Sequence, residues 1–320
     1  MTLSGLLRPR PITPAERNII GAVVASMPAA AAFWHDWTTK PDVTIGARDL
    51  LPQLGARLTE LGAAPTQEIA AKLATAQLIE DRRRAKIREI MTDLETLFGN
   101  DRLWPLLIDG PAAEQDRRSQ LRHISRLGWL FATQADVEHA CRLLQSRDCI
   151  VTGGLSNTVT LQHPSKLQLI LYRETMPAPF TAITGAALRE RHEDEGGSQR
   201  PCATDRFLLA VADGIRAARH DDLRWLIDAC RLLMDGQIDS ARLASWMRDP
   251  LLNECVINTL DFIQRNFALT LATGITPLIS GAHLSEPVLV RACAALIGRR
   301  KTLAAAPGLL QRVKWLRWLV

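Results

Sequence analysis

From Thr66 to Phe98 the chain carries neither proline nor glycine. Within that run Ile69, Leu73, Ala76, Ile79, Ile87, Ile90, Met91, Leu94 and Leu97 recur at helical spacing, so one long helix or two in register are expected. Asp81-Arg82-Arg83-Arg84 falls inside the run. Three successive arginines could grip phosphate, but inside a helix they read as a solvated face. Upstream, Thr13-Pro14-Ala15-Glu16 is a helix start: a capping hydroxyl, proline at the first helical position, then an early acid. Pro41, Gly46, Pro52, Gly55, Gly62 and Pro65 punctuate the chain between these two points, giving an N-terminal helical region over residues 1–99.

The rest of the composition excludes several classes. With 320 residues the chain can bury a sizeable core, and 47% apolar with 23% charged residues excludes disorder, collagen and coiled-coil arrays. Thirty-nine basic against thirty-four acidic side chains leave +5, far from the dense cationic stripe of a dedicated nucleic-acid binder. Six scattered cysteines without a CxxC pair argue against both a disulfide framework and a zinc site, and read as free thiols in a reducing cytosol. The N-terminus has no apolar signal-like region. The stretch Ala22–Trp34 is about thirteen residues, short of the ~20 needed to cross a bilayer. The expectation is a cytoplasmic protein without a transmembrane segment.

After Gly99-Asn100 the texture changes. Short apolar runs at Leu103–Ile108, Trp129–Ala132, Cys149–Val151, Thr158–Leu161 and Leu167–Tyr172 read as a small sheet, with a helix over Gln134–Gln145 between the second and third. This defines an α+β unit over 100–190. Arg189 to Ser198 is charged and carries Gly196-Gly197, so 191–200 reads as a flexible linker. Beyond Pro201 apolar stripes over Asp205–Arg219, Asp221–Met234, Asp239–Met247, Leu251–Thr273 and Glu286–Gly298 predict a C-terminal helical bundle over 201–320. The expected fold is α+β and predominantly helical, with a small mixed sheet flanked by helices.

Several familiar chemistries are absent. Val151-Thr152-Gly153-Gly154-Leu155-Ser156 lacks a P-loop lysine and reads as a hairpin turn. The histidines show neither HxH nor HxxxH spacing, and no serine sits in a GxSxG elbow, so neither metal nor serine chemistry is indicated. Cys141 and Cys149 near His139 read as a coincidence of sequence. Asp228 beside Trp225 reads as a buried hydrogen-bond hub. The segment Leu309–Val320 combines cations with Trp315 and Trp318; it reads as a closing helix or partner-binding stripe, with peripheral membrane contact as the alternative.

Leu106-Leu107-Ile108-Asp109-Gly110-Pro111-Ala112, followed by Leu121-Arg122-His123-Ile124-Ser125-Arg126-Leu127-Gly128-Trp129, resembles a bacterial nucleotidyltransferase-like family of the DNA-polymerase-β-type superfamily. That family shows Leu-Leu-Lys-Gly-Pro-Ala, then Leu-Arg-Pro-Met-Ser-Asp-Ile-Asp. Thr204-Asp205-Arg206-Phe207-Leu208-Leu209 and Leu223-Arg224-Trp225-Leu226-Ile227-Asp228-Ala229 resemble its C-terminal signature, so the likeness spans roughly 85 to 300. The resemblance implies two metal ions held by an Asp-x-Asp pair, clamping a nucleoside triphosphate and stabilising the leaving pyrophosphate. In this chain the two acid positions are Arg126 and Gly128, the third falls near Ile170, and the lysine position is Asp109.

An arginine cannot ligate Mg²⁺ and its charge repels the ion, so the two-metal reaction is expected to be lost. Two readings of the exchange stay open: Asp109 and Arg126 pair and replace the metal site, or both have drifted to face water. A third use of the pocket has Arg126, with Arg122 and Ser125, binding phosphate through the guanidinium fork. The expectation is a non-catalytic binding or scaffolding component of a bacterial biosynthetic pathway making a peptide natural product or polysaccharide. Its pocket at Asp109, Gly110, Arg122, Ser125, Arg126 and Gly128 would take a nucleotide, a phosphate or a protein or peptide partner. No cofactor is expected. Mg²⁺ would enter only under the alternative of an active enzyme using acids elsewhere, such as Glu114 or Asp116. A pure interaction module is the third possibility.

Overall fold

The structure, a computed structural model, describes residues 7–39, 44–109, 123–155, 157–177, 179–195, 198–216, 222–267 and 269. Helix α1 (Pro14–Val24) begins at the expected start. The Thr13 hydroxyl accepts the Glu16 amide while the Glu16 carboxylate accepts the Thr13 amide, a reciprocal cap with proline in the first turn. Helices α2 (Met27–Thr39), α3 (Ile45–Arg48) and α4 (Leu51–Leu61) follow, and Gly62 closes α4 in the left-handed region at φ 61°. Helix α5 (Gln67–Asn100) is a single continuous rod capped by Thr66, about 50 Å long at 1.5 Å per residue.

The buried side of α5 runs Ile69, Leu73, Glu80, Arg84, Ile87, Ile90, Leu94 and Phe98. The helical repeat is unbroken, but its middle is charged. The arginine run is therefore not a solvated face: Arg84 is buried against Glu80, Arg83 is half-buried, and Arg82 alone of the three is exposed. Conversely Ile79, counted in the apolar stripe, turns outward and is 62% exposed.

The sheet holds seven strands in the order β3-β4-β5-β2-β1-β7-β6. These are β1 (Leu106–Asp109), β2 (Arg126–Phe131), β3 (Ile150–Leu155), β4 (Thr158–Gln162), β5 (Gln168–Arg173), β6 (His192–Glu195) and β7 (Ser198–Pro201). Helix α6 (Gln134–Gln145) falls between β2 and β3, and α7 (Gly185–Arg189) between β5 and β6. Pairing is mixed: β2 runs antiparallel to β1 and parallel to β5, and β7 runs parallel to β1.

Two expectations fail in this unit. The 191–200 linker is in fact the β6–β7 hairpin, which widens the sheet beyond β1. Val151–Leu155 lies within β3 and is not itself a turn. Gly154 is needed there because a Cβ would stand 2.3 Å from the Thr158 carbonyl oxygen across the hairpin.

Alternation along the strands sends side chains to opposite faces, and each face has its own core. Leu107, Leu127, Trp129, Phe131, Leu169 and Leu171 pack with the second half of α5 and with α6. Leu106, Ile108, Leu130 and Tyr172 join the other cluster, shared by the N-terminal helices and by α8 (Ala203–Arg216), α9 (Arg224–Met234), α10 (Ser240–Trp246) and α11 (Pro250–Phe267). The fold is α+β and predominantly helical, as expected.

Asp205, fully buried on α8, ties this layer together. It accepts bonds from Arg242 Nε (3.1 Å), Arg242 Nη2 (3.0 Å) and Trp246 Nε1 (2.7 Å). Asp228 is buried, in keeping with a structural role. Among the described residues no helix is long and apolar enough to cross a membrane. Glu286–Gly298 and Leu309–Val320 lie outside the described residues.

Candidate functional site

The face of β2 that carries Leu130 also carries Gly128 and Arg126. Strand β1 meets it through a bulge: Leu107 pairs with Trp129 and Asp109 with Gly128, leaving Ile108 as the extra residue. Simple alternation would send Asp109 to the face of Leu107; the bulge turns it over to the face of Gly128. Tyr172 of β5 shares that face, one register step beyond Ile170, which lies directly across from Gly128.

The result is a closed ionic cluster. Arg126 donates from Nε to Asp109 Oδ2 (2.9 Å) and from Nη2 to Asp109 Oδ1 (3.1 Å), the bidentate fork that suits a carboxylate. The same Nη2 reaches Asp213 Oδ1 of α8 at 2.6 Å, and the Tyr172 hydroxyl donates to Asp109 Oδ2 at 3.1 Å. None of the cluster's buried polar atoms lacks a partner. Asp109 first, then Asp213, hold the Arg126 guanidinium charged well above its ordinary range. Burial, with Asp109 next, pushes the Tyr172 phenol upward.

Gly128 belongs to the same design. A Cβ there would stand 2.6 Å from Asp109 Cβ and 3.0 Å from Tyr172 Cε2. The missing side chain is the space in which the ion pair sits.

Of the six residues expected to form a pocket, Asp109, Arg126 and Gly128 come together. Ser125 accepts a bond from Arg224 Nη1 of α9 at 2.8 Å instead. Gly110 and Arg122 lie outside the described residues, as do Glu114 and Asp116. Two aspartates surround the Arg126 guanidinium, and the charge of Arg216 on α8 also acts on Tyr172. Among the described residues no group of three or more His, Cys, Asp or Glu stands arranged to hold a metal ion.

Arg224 leads from this cluster to a second. It chelates Asp222, touches the His123 carbonyl oxygen at 3.4 Å and lies 4.0 Å from Asp49 Oδ2. His123 donates from Nδ1 to Glu80 Oε2 at 2.7 Å, which leaves Nε2 facing Asp49 Oδ2 at 3.9 Å. Glu80 is the charged member in the middle of the α5 stripe. Beside it opens a cavity of about 710 Å³ between α5 and the α3–α4 segment.

No family model, curated protein or solved structure matches the chain. The site therefore rests on its own geometry.

Asp213, Glu80 and Asp49 were not singled out from the sequence, and Arg224 entered only as part of the C-terminal motif. Asp213 lies 87 positions from Arg126, with no local pattern to announce the pairing. Glu80 did leave a trace: Leu73, Glu80, Arg84 and Ile87 continue the helical repeat across a gap in the apolar residues.

Proposed function

We propose that this chain is a nucleotidyltransferase-fold protein that has lost its metal-binding carboxylates and works as a non-catalytic binding or scaffolding component. The register of β1, β2 and β5 carries the reading. The positions that the resemblance assigns to the three metal acids, Arg126, Gly128 and Ile170, fall side by side on one face of adjacent strands. Asp109, at the former lysine position, closes over Arg126 at 2.9 Å. On this reading the guanidinium between two aspartates stands in for the two divalent ions of the resemblance, and the exchange of charges is reciprocal.

The setting in peptide natural-product or polysaccharide biosynthesis comes with the resemblance alone. A protein or peptide partner is favoured by Trp104, which stands 65% exposed just ahead of β1. Large aromatic side chains left in solvent are frequent anchors of protein interfaces.

Calorimetry with the four nucleoside triphosphates, each with and without Mg²⁺, tests the reading. The expected result is no Mg²⁺-dependent binding and no pyrophosphate release. Mg²⁺-dependent binding would overturn it. Metal-independent binding abolished by Arg126→Ala would instead assign the cluster to phosphate.

A further inference from the structure

The two edges of the sheet have opposite chemistry. At one end β6 reads His192-Glu193-Asp194-Glu195, every residue ionisable. At the other end β3 reads Ile150-Val151-Thr152-Gly153-Gly154-Leu155, and from Cys149 to Ser165 there is no Asp, Glu, Lys or Arg. Ile150 is 66% exposed and Val151 43%, and Thr152, Gly153 and Gly154 after them are exposed as well. Charge on an edge strand keeps other strands away; an apolar edge without charge invites one.

The hydrogen-bond phase of β3 defines what it can receive. His163 N–H donates to the Leu167 carbonyl oxygen at 2.9 Å, and Arg173 N–H to that of Asn157 at 2.9 Å. Alternation then turns Val159 and Leu161 towards β5 and Thr158, Thr160 and Gln162 towards β3. Their partners Leu155, Gly153 and Ile150 face inward, so the backbone groups of Val151 and Gly154 point out of the sheet. Thr152 is the extra residue of a bulge and drops out of this count, which leaves the outward groups symmetric about Gly153. A bulge does not bar pairing on both sides, since β1 has one and is flanked by β2 and β7. Gly153 has no structural need of its own: its φ is not left-handed and an added Cβ would meet no described atom within 4 Å. Glycine inside a strand marks a place where another backbone comes close.

We infer that β3 pairs antiparallel with β3 of a second copy of this chain, about a twofold axis at Gly153. Val151 of each copy exchanges N–H···O bonds with Gly154 of the other. The two glycines at 153 face each other as the close, non-hydrogen-bonded pair. Arg147 and Asp148 stand at the start of β3, and the antiparallel direction carries the two sets of charges to opposite ends. The joint uses up both apolar edges and leaves the charged β6 at each outer end, so assembly closes at two copies. The edge shares no residue with the Asp109–Arg126 cluster, so either reading can fail alone.

Sedimentation velocity on the full chain over a range of concentrations reads the association. A joint built on one strand pair falls below the ~1,600 Å² of a standard interface, so a dissociation constant on the order of 10 µM is expected. Val151→Pro removes an outward N–H and leaves the β3–β4 ladder intact; it should weaken the dimer at least about tenfold. Val151→Lys should do the same by bringing charge to the joint, and it carries the test if the proline variant melts early. Gly153→Cys places a thiol in space that is open in the single chain. With Cα atoms about 4.5 Å apart across the axis, it should form a covalent dimer under oxidised glutathione, where the wild-type chain does not. A chain that stays monomeric well above that concentration would overturn the inference. So would a dimer that survives both Val151 variants, a dimer that dissociates on Trp104→Ala in their place, or growth beyond two copies.

Discussion

Two ionic clusters sit about the same sheet and differ in how completely they are closed. Around Arg126 each carboxylate and the phenol find partners within the protein, and Gly128 removes the one side chain that would hold them apart. Around Glu80 one carboxylate oxygen, shut off from solvent, has no hydrogen-bond donor among the described residues. The chemistry of the residues is similar, acids with arginines, yet the first is self-sufficient and the second is not. Satisfaction of polar atoms distinguishes the two clusters better than residue type does.

The sharpest way to break the comparison is Gly128→Ala. A methyl group 2.6 Å from Asp109 Cβ must push β1 away from β2, and a loss of about 3 kcal/mol in denaturant unfolding is expected. Asp109→Ala comes next, at about 2–3 kcal/mol, because it strips Arg126 of its fork and leaves the Tyr172 hydroxyl without its acceptor. The double change Asp109→Leu with Arg126→Leu should recover only part of that loss, because Asp213 still loses its guanidinium and the Tyr172 hydroxyl its acceptor. Full recovery would show that Asp213 and Tyr172 depend on neither partner.

Tyr172 is the one tyrosine of the chain, so its ionisation can be read directly from phenolate absorbance. Its folded value is raised above 10.0, so the protonated phenol contributes stability that is complete below pH 10 and is lost as pH rises above it. Phenolate absorbance and unfolding should therefore appear together on the alkaline side. A phenol that titrates near 10 in a folded sample would show the cluster to be open.

At the α5 cluster smaller effects are expected. Glu80→Gln should cost about 1–2 kcal/mol by weakening the bond to His123 and the pairing with Arg84. Arg48→Gln should change stability by less than about 0.5 kcal/mol, since Arg48 is exposed and pairs with no acid among the described residues.

Local signals were the most legible in the sequence. The start of α1 and the full span of α6 were readable because hydroxyl caps and apolar repeats act within a few residues. The pairing of Asp109 with Arg126 was legible as one of two alternatives, from a reciprocal exchange of charge at strand positions. The β6–β7 hairpin was not, because a charged, glycine-bearing edge strand has the composition of a linker. Glu80 and Arg84 were hidden for a related reason. Charge reads as solvent unless the helical repeat is followed through it, and only the tertiary fold brings His123 across to meet Glu80. Asp213 required the fold outright.

Helix α5 also determines how the molecule comes apart. Its first turns are rooted in the cluster shared by the terminal helices, through Ile69 and Leu73. Its last turns are rooted in the cluster on the other side of the sheet, through Ile87, Ile90, Leu94 and Phe98. Helix propagation is cooperative, so neither core can melt without loosening the rod that the other depends on. The two cores are thereby coupled into one thermodynamic unit, and a break in the rod between Leu73 and Ile87 would let them melt as two.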